Sequence, residues 1–255
     1  VGVRFQELDW RRTDLGELVL RRRRYPDVDG ESRDVYEIKL NDEYLMSSLF
    51  TVAELELGRL ALAELAYGTA LDSAQESALD VVVGGLGLGC TAQAVLESPA
   101  VRSLVVVDAL AEVIEWHRRE LIPSGLGSDP RCRLVQGDFF AMVRGRSGLD
   151  PDAPDRRFHA IVVDIDHSPR HLLHPGNADL YQPEGLRRLA EGLHPGGVFA
   201  LWSNDPPEQE FLAALGQVFA EARAEVVTFD NPLQGREAAN TVYLARTAAL
   251  SGAPG

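Results

Sequence analysis

From residue 79 onward, short apolar runs alternate with stretches whose apolar residues recur at helical spacing. The runs predict strands at Leu79–Val83, Ser103–Val107, Cys132–Gln136, His159–Val163, Gly197–Trp202, Ala224–Phe229 and Thr241–Ala245. Between them the spacing predicts helices at Thr91–Leu96, Leu110–Leu121, Phe139–Val143, Glu184–Gly192 and Pro207–Phe219. Strands and helices that alternate in this way build an α/β fold, a mostly parallel sheet covered by helices. Arg144–Arg157 and Ser168–Gly176, rich in Gly, Pro and Asp, read as loops.

The opening of the chain has a different texture. Gly16–Leu20 and Asp34–Leu40 look like strands, punctuated by Pro26-Asp27, Asp29-Gly30 and Asn41-Asp42. Residues 1–50 therefore predict a small β-hairpin or meander. A unit of that size is marginal alone and should pack on the rest of the chain or on a second subunit. Ser48–Tyr67 then predicts an amphipathic helix, with Leu49, Val52, Leu55, Leu57, Leu60, Leu62 and Leu65 mostly on one face and Gly68 at its C-cap. The expected division is a small β domain over 1–50, an α/β domain over 51–248 and a flexible tail over 249–255.

Composition narrows the function. With 45% hydrophobic and 25% charged residues, the 255-residue chain has the balance of a globular protein. A net charge of −14 argues against a nucleic-acid partner, which needs a surplus of Lys and Arg. The run Arg21–Arg24 is the exception, and it reads as a solvated strand. The apolar runs are too short to cross a bilayer, and Arg4, Glu7, Asp9, Arg11 and Arg12 break up any leader-like opening. A cytoplasmic protein with no membrane partner is the expectation. Cys90 and Cys132 are isolated and predict neither a disulfide nor a metal knuckle.

Chemistry concentrates where strands end. Leu79-Asp-Val-Val-Val runs straight into Gly84, Gly85, Gly87 and Gly89, and a helix follows. Such a loop turns tightly and lets backbone approach a ligand closely. The next strand ends in Asp108, 23 residues beyond Gly85, where a carboxylate can accept from both hydroxyls of a ribose; it can also cap the following helix. Gly137-Asp138 closes the third strand, where Asp138 can accept from an adenine amino group or cap the next helix. The fourth strand ends in Asp164-Ile-Asp-His-Ser-Pro169, so Asp164, Asp166 and His167 are candidates to hold or deprotonate an attacking group. His167, His171 and His174 have helical metal-ligand spacing, but Pro169 and Pro175 oppose a continuous helix, and no metal is expected. A mobile loop closing over substrate is the expectation there instead.

From about Asp42 to Ala245 the chain resembles the spermidine synthase family, within the larger class of S-adenosylmethionine (AdoMet)-dependent methyltransferase folds. The segments that carry the resemblance are Asn41-Asp-Glu-Tyr44, Val81-Val-Val-Gly-Gly85, Val105-Val-Val-Asp108, Val135-Gln-Gly-Asp138, Phe158-His-Ala-Ile-Val-Val-Asp164, Leu180-Tyr181 and Leu193-His-Pro-Gly-Gly-Val-Phe199. It implies a Rossmann-like, seven-stranded sheet and an S-adenosyl donor, either AdoMet or its decarboxylated form. Gly84, Gly85, Gly87, Gly89, Asp108, Gly137, Asp138 and Asp164 would line the donor site. It also implies a homodimer, with the N-terminal β unit over the substrate.

The departures from that family are specific. Its glycine loop carries an acid where Gly87 stands, its catalytic loop an Asp where His167 stands, its Tyr-Gln or Tyr-His pair is Met46-Ser47, and its fifth-strand Gln is Trp202. These positions bind ammonium groups in the family, each charge-assisted bond contributing about 1.5–3 kcal/mol. Their loss predicts methyl transfer from AdoMet to a small-molecule acceptor, with Tyr44, Met46 and Trp202 lining an apolar acceptor pocket. Aminopropyl transfer to an amine and a non-catalytic adenosyl-binding role are the alternatives.

Overall fold

The computed structural model describes residues 5–26, 32–41, 43–68, 78–231 and 236–249. The turn signals at Asp27, Asp29-Gly30 and Asp42, and the expected tail beyond Ala249, lie outside them. Among the described residues the strands form two sheets.

The first is an antiparallel meander of β1 (Phe5–Thr13), β2 (Gly16–Pro26), β3 (Ser32–Leu40) and β4 (Glu43–Ser47). Sequence periodicity reveals only the middle two. β1 is an edge strand whose residues are all at least partly exposed, so no buried alternation marks it. β4 is equally unburied. On β2 and β3 one face carries Leu18, Leu20 and Ile38 into the core, and Arg21, Arg23, Glu37 and Lys39 take the other. The arginine run is a strand, as expected, but it is not simply solvated. Arg21 Nε and Arg23 reach Glu37 at 2.5 and 2.7 Å and close over it, leaving Glu37 1% exposed.

The helix α1 (Val52–Gly68) begins four residues later than the periodicity suggests. Ser48 belongs to the meander instead: its N–H donates to Tyr36 O, and its hydroxyl accepts from Tyr36 N. Gly68 closes the helix rather than following it.

The second sheet contains β5 (Leu79–Gly84), β6 (Val101–Asp108), β7 (Cys132–Gln136), β8 (Phe158–Val163), β9 (Leu193–Ser203), β10 (Glu221–Asn231) and β11 (Arg236–Arg246), in the order β10-β11-β9-β8-β5-β6-β7. β5 to β9 run parallel, and β11 runs antiparallel between β9 and the edge strand β10. This is a Rossmann-like, seven-stranded, mostly parallel sheet. Helices α2 (Cys90–Leu96), α3 (Ala111–Arg118), α4 (Phe139–Gly145), α5 (Pro183–Ala190) and α6 (Gln209–Gly216) fill the crossovers. Every residue of β5 is buried, so its sequence reads as a continuous apolar run rather than an alternation.

Alternate residues of the strands divide the core in two. Val81, Val83, Leu104, Val106, Ala160 and Val162 pack toward α1, α2 and the meander. Val82, Val105, Val107, Ile161 and Val163 pack toward α4, α5 and α6. The meander is therefore built onto the main core through Leu18, Leu20 and Ile38. β9 starts earlier than its apolar run, at Leu193. Gly196, at φ +76, carries the chain through the Pro-Gly-Gly stretch, and the β8–β9 register shifts nearby. No helix among the described residues is long and apolar enough to cross a membrane.

Candidate active site

β5 pairs with β6 on one side and β8 on the other, so the crossovers diverge at the carboxyl end of β5. An open α/β sheet forms its ligand crevice at such a point. The glycine loop lies there. Gly84 O accepts from Asp164 N and Gly85 N donates to Val107 O, which ties the loop to β8 and β6. Gly85 has φ +96, and a Cβ on it would collide with the Asp164 carbonyl oxygen. Only glycine serves at this position.

Asp108, at the end of β6, faces the loop. Its Oδ2 accepts from Leu86 N and its Oδ1 from Leu110 N, both at 2.8 Å, so it latches the glycine loop and opens α3 at once. Burial raises its pKa, against the backbone N–H groups of Leu110, Leu86 and Gly87, which lower it. Asp108 remains partly exposed, so its carboxylate keeps acceptor capacity for a ligand. Asp138 caps α4: its exposed carboxylate accepts from Ala141 N at 3.0 Å. Gly137 N donates to Asp108 O at 2.9 Å, which joins the tips of β6 and β7. Capping thus occupies one oxygen of Asp138 and leaves the other.

A histidine that sequence reasoning passed over holds the loop from beneath. His117 on α3, 1% exposed, bonds Gly87 O through Nε2 at 2.9 Å and Ser124 Oγ through Nδ1 at 2.6 Å. Burial lowers its pKa, so it is neutral near pH 7. On the opposite side Met46 lies over the loop. Its sulfur accepts from Leu88 N at 3.0 Å, and a Cβ on Gly87 would stand 2.7 Å from it. Met46 therefore occupies the space that an acidic side chain at position 87 would use.

Sequence reasoning also missed Glu54. On α1 it is one acid among several on a helix of regular spacing; only packing places it against β8. There its charge reaches Asp164, and Thr91 joins the two residues, its hydroxyl 2.7 Å from Asp164 Oδ2 and 3.2 Å from the backbone carbonyl of Glu54. Burial first, then the charge of Asp164, pushes Glu54 up to about 8. Burial pushes Asp164 up to about 6, although Thr91 opposes it. Among the described residues no cation contributes to either shift. Two partly buried carboxyls thus lie near each other beside the glycine loop, with no positive partner among the described residues. Cys90 lies near both. Its pKa, raised to about 12 by burial and then by Glu54 and Asp164, keeps it an inert thiol.

The remaining predicted residues divide. Asp166 is not a free base. It is 1% exposed; Oδ1 accepts from Leu173 N (2.7 Å) and Asn177 Nδ2 (2.9 Å), and Oδ2 from Tyr181 OH (2.8 Å). It anchors the loop that follows β8, with both carboxylate oxygens engaged there. His167 is exposed, and its backbone pairs with His171 and Asn204. His174 caps the 3-10 turn Pro175–Tyr181 by accepting from Gly176 N. His171 instead bonds Asp205, just beyond β9, with Nδ1 2.7 Å from Oδ2. Tyr44 is 53% exposed on the outer face of the meander, where Arg21 stacks on its ring and donates to its hydroxyl, so it does not line the cleft. Trp202 packs against the core on the α1 side of the sheet, its indole N–H buried without a partner among the described residues.

No protein-family model matches the chain, and no curated protein matches its sequence. Solved structures do resemble it. A spermidine synthase in complex with the transition-state analogue AdoDATO superposes with a TM-score of 0.64 at 18% identity, covering 95% of this chain and 74% of that one. The spermidine synthase from Thermotoga maritima gives 0.63 at 18% identity, covering 95% and 73%. Human methyltransferase-like protein 13 in complex with SAH gives 0.54 at 17% identity, covering 78% and 84%. At these identities the likeness establishes the fold alone: nearly the whole chain follows the fold of the spermidine synthases, and about four-fifths of it that of the methyltransferase-like protein.

Proposed function

We propose that the chain is an S-adenosyl-sulfonium-dependent transferase acting on an amine, and that it transfers an aminopropyl group from the decarboxylated donor. The observation that carries this choice is the Glu54–Asp164 pair. Position 87 carries no acid, but α1 brings another carboxyl near Asp164 and Cys90, just past the glycine loop. A donor tail or acceptor bearing only an ammonium group would meet two acids with no competing cation. An intact methionine tail would also bring a carboxylate toward those acids, and Asp164, ionised near neutral pH, would repel it. The likeness to spermidine synthases over nearly the whole chain supports the same reading.

The residues present suit an adenosyl ligand: Gly85 leaves room for close backbone approach, and Asp108 has lone pairs to offer ribose hydroxyls. The bound donor supplies an electrophilic carbon attached to a sulfonium. The chain's part is to fix the loop through Asp108 and His117 and to hold a cationic group beside Glu54 and Asp164.

Calorimetry with decarboxylated AdoMet, AdoMet and methylthioadenosine tests this, followed by product analysis with a panel of primary amines and diamines. Tighter binding of the decarboxylated donor and release of methylthioadenosine are expected. Tighter binding of AdoMet, with S-adenosylhomocysteine as product, would sink aminopropyl transfer. It would instead establish the second reading, methyl transfer to a small-molecule acceptor, which Gly87 and the overlying Met46 favour. Binding of the adenosyl ligands without turnover of any amine would leave a non-catalytic binding role.

A further inference from the structure

The loop after β8 and the end of β9 build a second constellation, on the far side of β8 from the glycine loop. Ser168, 1% exposed, donates from Oγ to Asp205 Oδ2 at 2.6 Å, and its Oγ accepts from Arg170 N (3.2 Å) and His171 N (3.0 Å). The same Asp205 oxygen lies 2.7 Å from His171 Nδ1. Thr241 Oγ1 fixes the Asp205 backbone by donating to its carbonyl at 2.7 Å, and Asn204 N donates to His167 O at 2.7 Å, joining the two loops. Asp166 pins the distal part of the first loop through Leu173 N.

A Ser, a His and an Asp together suggest a nucleophile at first sight. The connectivity excludes it. Ser168 contacts Nδ1 of the histidine, not Nε2, and its hydroxyl already donates to Asp205 and accepts two backbone N–H groups. Its role is to support the carboxylate. Asp205 is held below the ordinary range by the Ser168 hydroxyl, with His171 and Arg170 adding to the effect against partial burial, so it is an anion near neutral pH. An anionic acceptor at Nδ1 keeps the proton on that nitrogen and leaves Nε2 as the basic atom. The His171 side chain is 69% exposed, so Nε2 is accessible.

We infer that His171 is the group that deprotonates the acceptor, with Asp205 as its positioning residue. The placement agrees with the division of the sheet. Glycine loop, Asp108 and Asp138 gather at the ends of β5, β6 and β7, whereas His171 and Asp205 lie beyond the ends of β8 and β9, along the same carboxyl edge of the sheet. In the transfer the amine nitrogen forms a bond to the donor carbon as the carbon–sulfur bond breaks. The sulfur leaves with that electron pair as a neutral thioether, and the proton shed by nitrogen passes to His171 Nε2. Asp205 then faces an imidazolium, which its charge stabilises.

The inference rests on the transferase reading but not on which alkyl group moves. The test uses the full chain, both donors and the same amine panel. His171→Ala should lower kcat by about a hundredfold or more with the affinity for methylthioadenosine unchanged, and added imidazole should restore part of the rate. Asp205→Asn should lower kcat less, with little change in KM. In 15N spectra of the ring it should abolish the preference for a proton on Nδ1, a change that a purely structural role would not produce. Unchanged turnover in His171→Ala, or 15N shifts that place the proton on Nε2 in the wild type, would overturn the inference and leave the transferase reading standing. Failure of the wild type to turn over any amine with either donor would overturn both.

Discussion

Glu54→Gln removes one charge from the carboxyl pair while keeping the side chain's shape, and its effect on stability can be worked from the site. Burial, then the neighbouring Asp164, raises Glu54 from 4.5 to about 8. At about 1.4 kcal/mol for each tenfold change in proton affinity, ionising Glu54 in the folded chain costs at most about 5 kcal/mol. Asp164, raised to about 6, shares that cost, because protonating either acid relieves the other. About 2 kcal/mol is therefore the expected gain for the variant. The sign follows from proton counting. The folded chain holds a proton that the unfolded chain releases, so stability is intact below about pH 4.5 and is lost as the pH rises through about 8. Ligand-free Glu54→Gln should thus unfold about 4–8 °C above the wild type near pH 8.5, and the gap should shrink steadily toward pH 5. Thermal unfolding across that range, checked by urea titration, measures both quantities. Equal midpoints near pH 8.5, or a gap indifferent to pH, would mean that Glu54 is solvated, and the case for an amine would lose its physical basis.

Other substitutions separate the remaining roles. Asp108→Ala should weaken methylthioadenosine binding by about 1.5–3 kcal/mol in calorimetry, since a charged acceptor of hydrogen bonds is lost; unchanged affinity would remove Asp108 from the ligand site. Gly85→Ala should destabilise the chain by more than about 3 kcal/mol, or prevent folding, because its Cβ meets the Asp164 carbonyl at a positive φ; a soluble variant with the wild-type melting point would contradict that geometry. Asp166→Asn should speed hydrogen exchange at Leu173 and neighbouring amides and lower stability by about 1–3 kcal/mol, while methylthioadenosine still binds. Unaltered exchange there would show that the loop does not depend on this anchor.

Much of the fold was legible along the chain because each buried parallel strand is a local apolar run ended by a polar or glycine residue. Val81–Gly85, Val105–Asp108 and Phe158–Asp164 announce both a strand and the chemistry at its tip. Strands β1 and β4 stayed hidden because neither buries a face that would impose alternation. Asp166 shows the opposite limit. Next to His167 in sequence it looks like a base, yet Asn177 and Tyr181 arrive from a later segment and turn it into an anchor.

The sequence by itself determined the Rossmann-like sheet, the glycine loop and the carboxylates that end its strands, since backbone conformation and hydrophobic periodicity are local properties. Only the tertiary structure decided which acids meet. Glu54 with Asp164, and His171 with Asp205, are joined by packing between separate elements. Burial and charge pairing, which set how readily a group ionises, depend on those neighbours in space and leave no pattern along the chain.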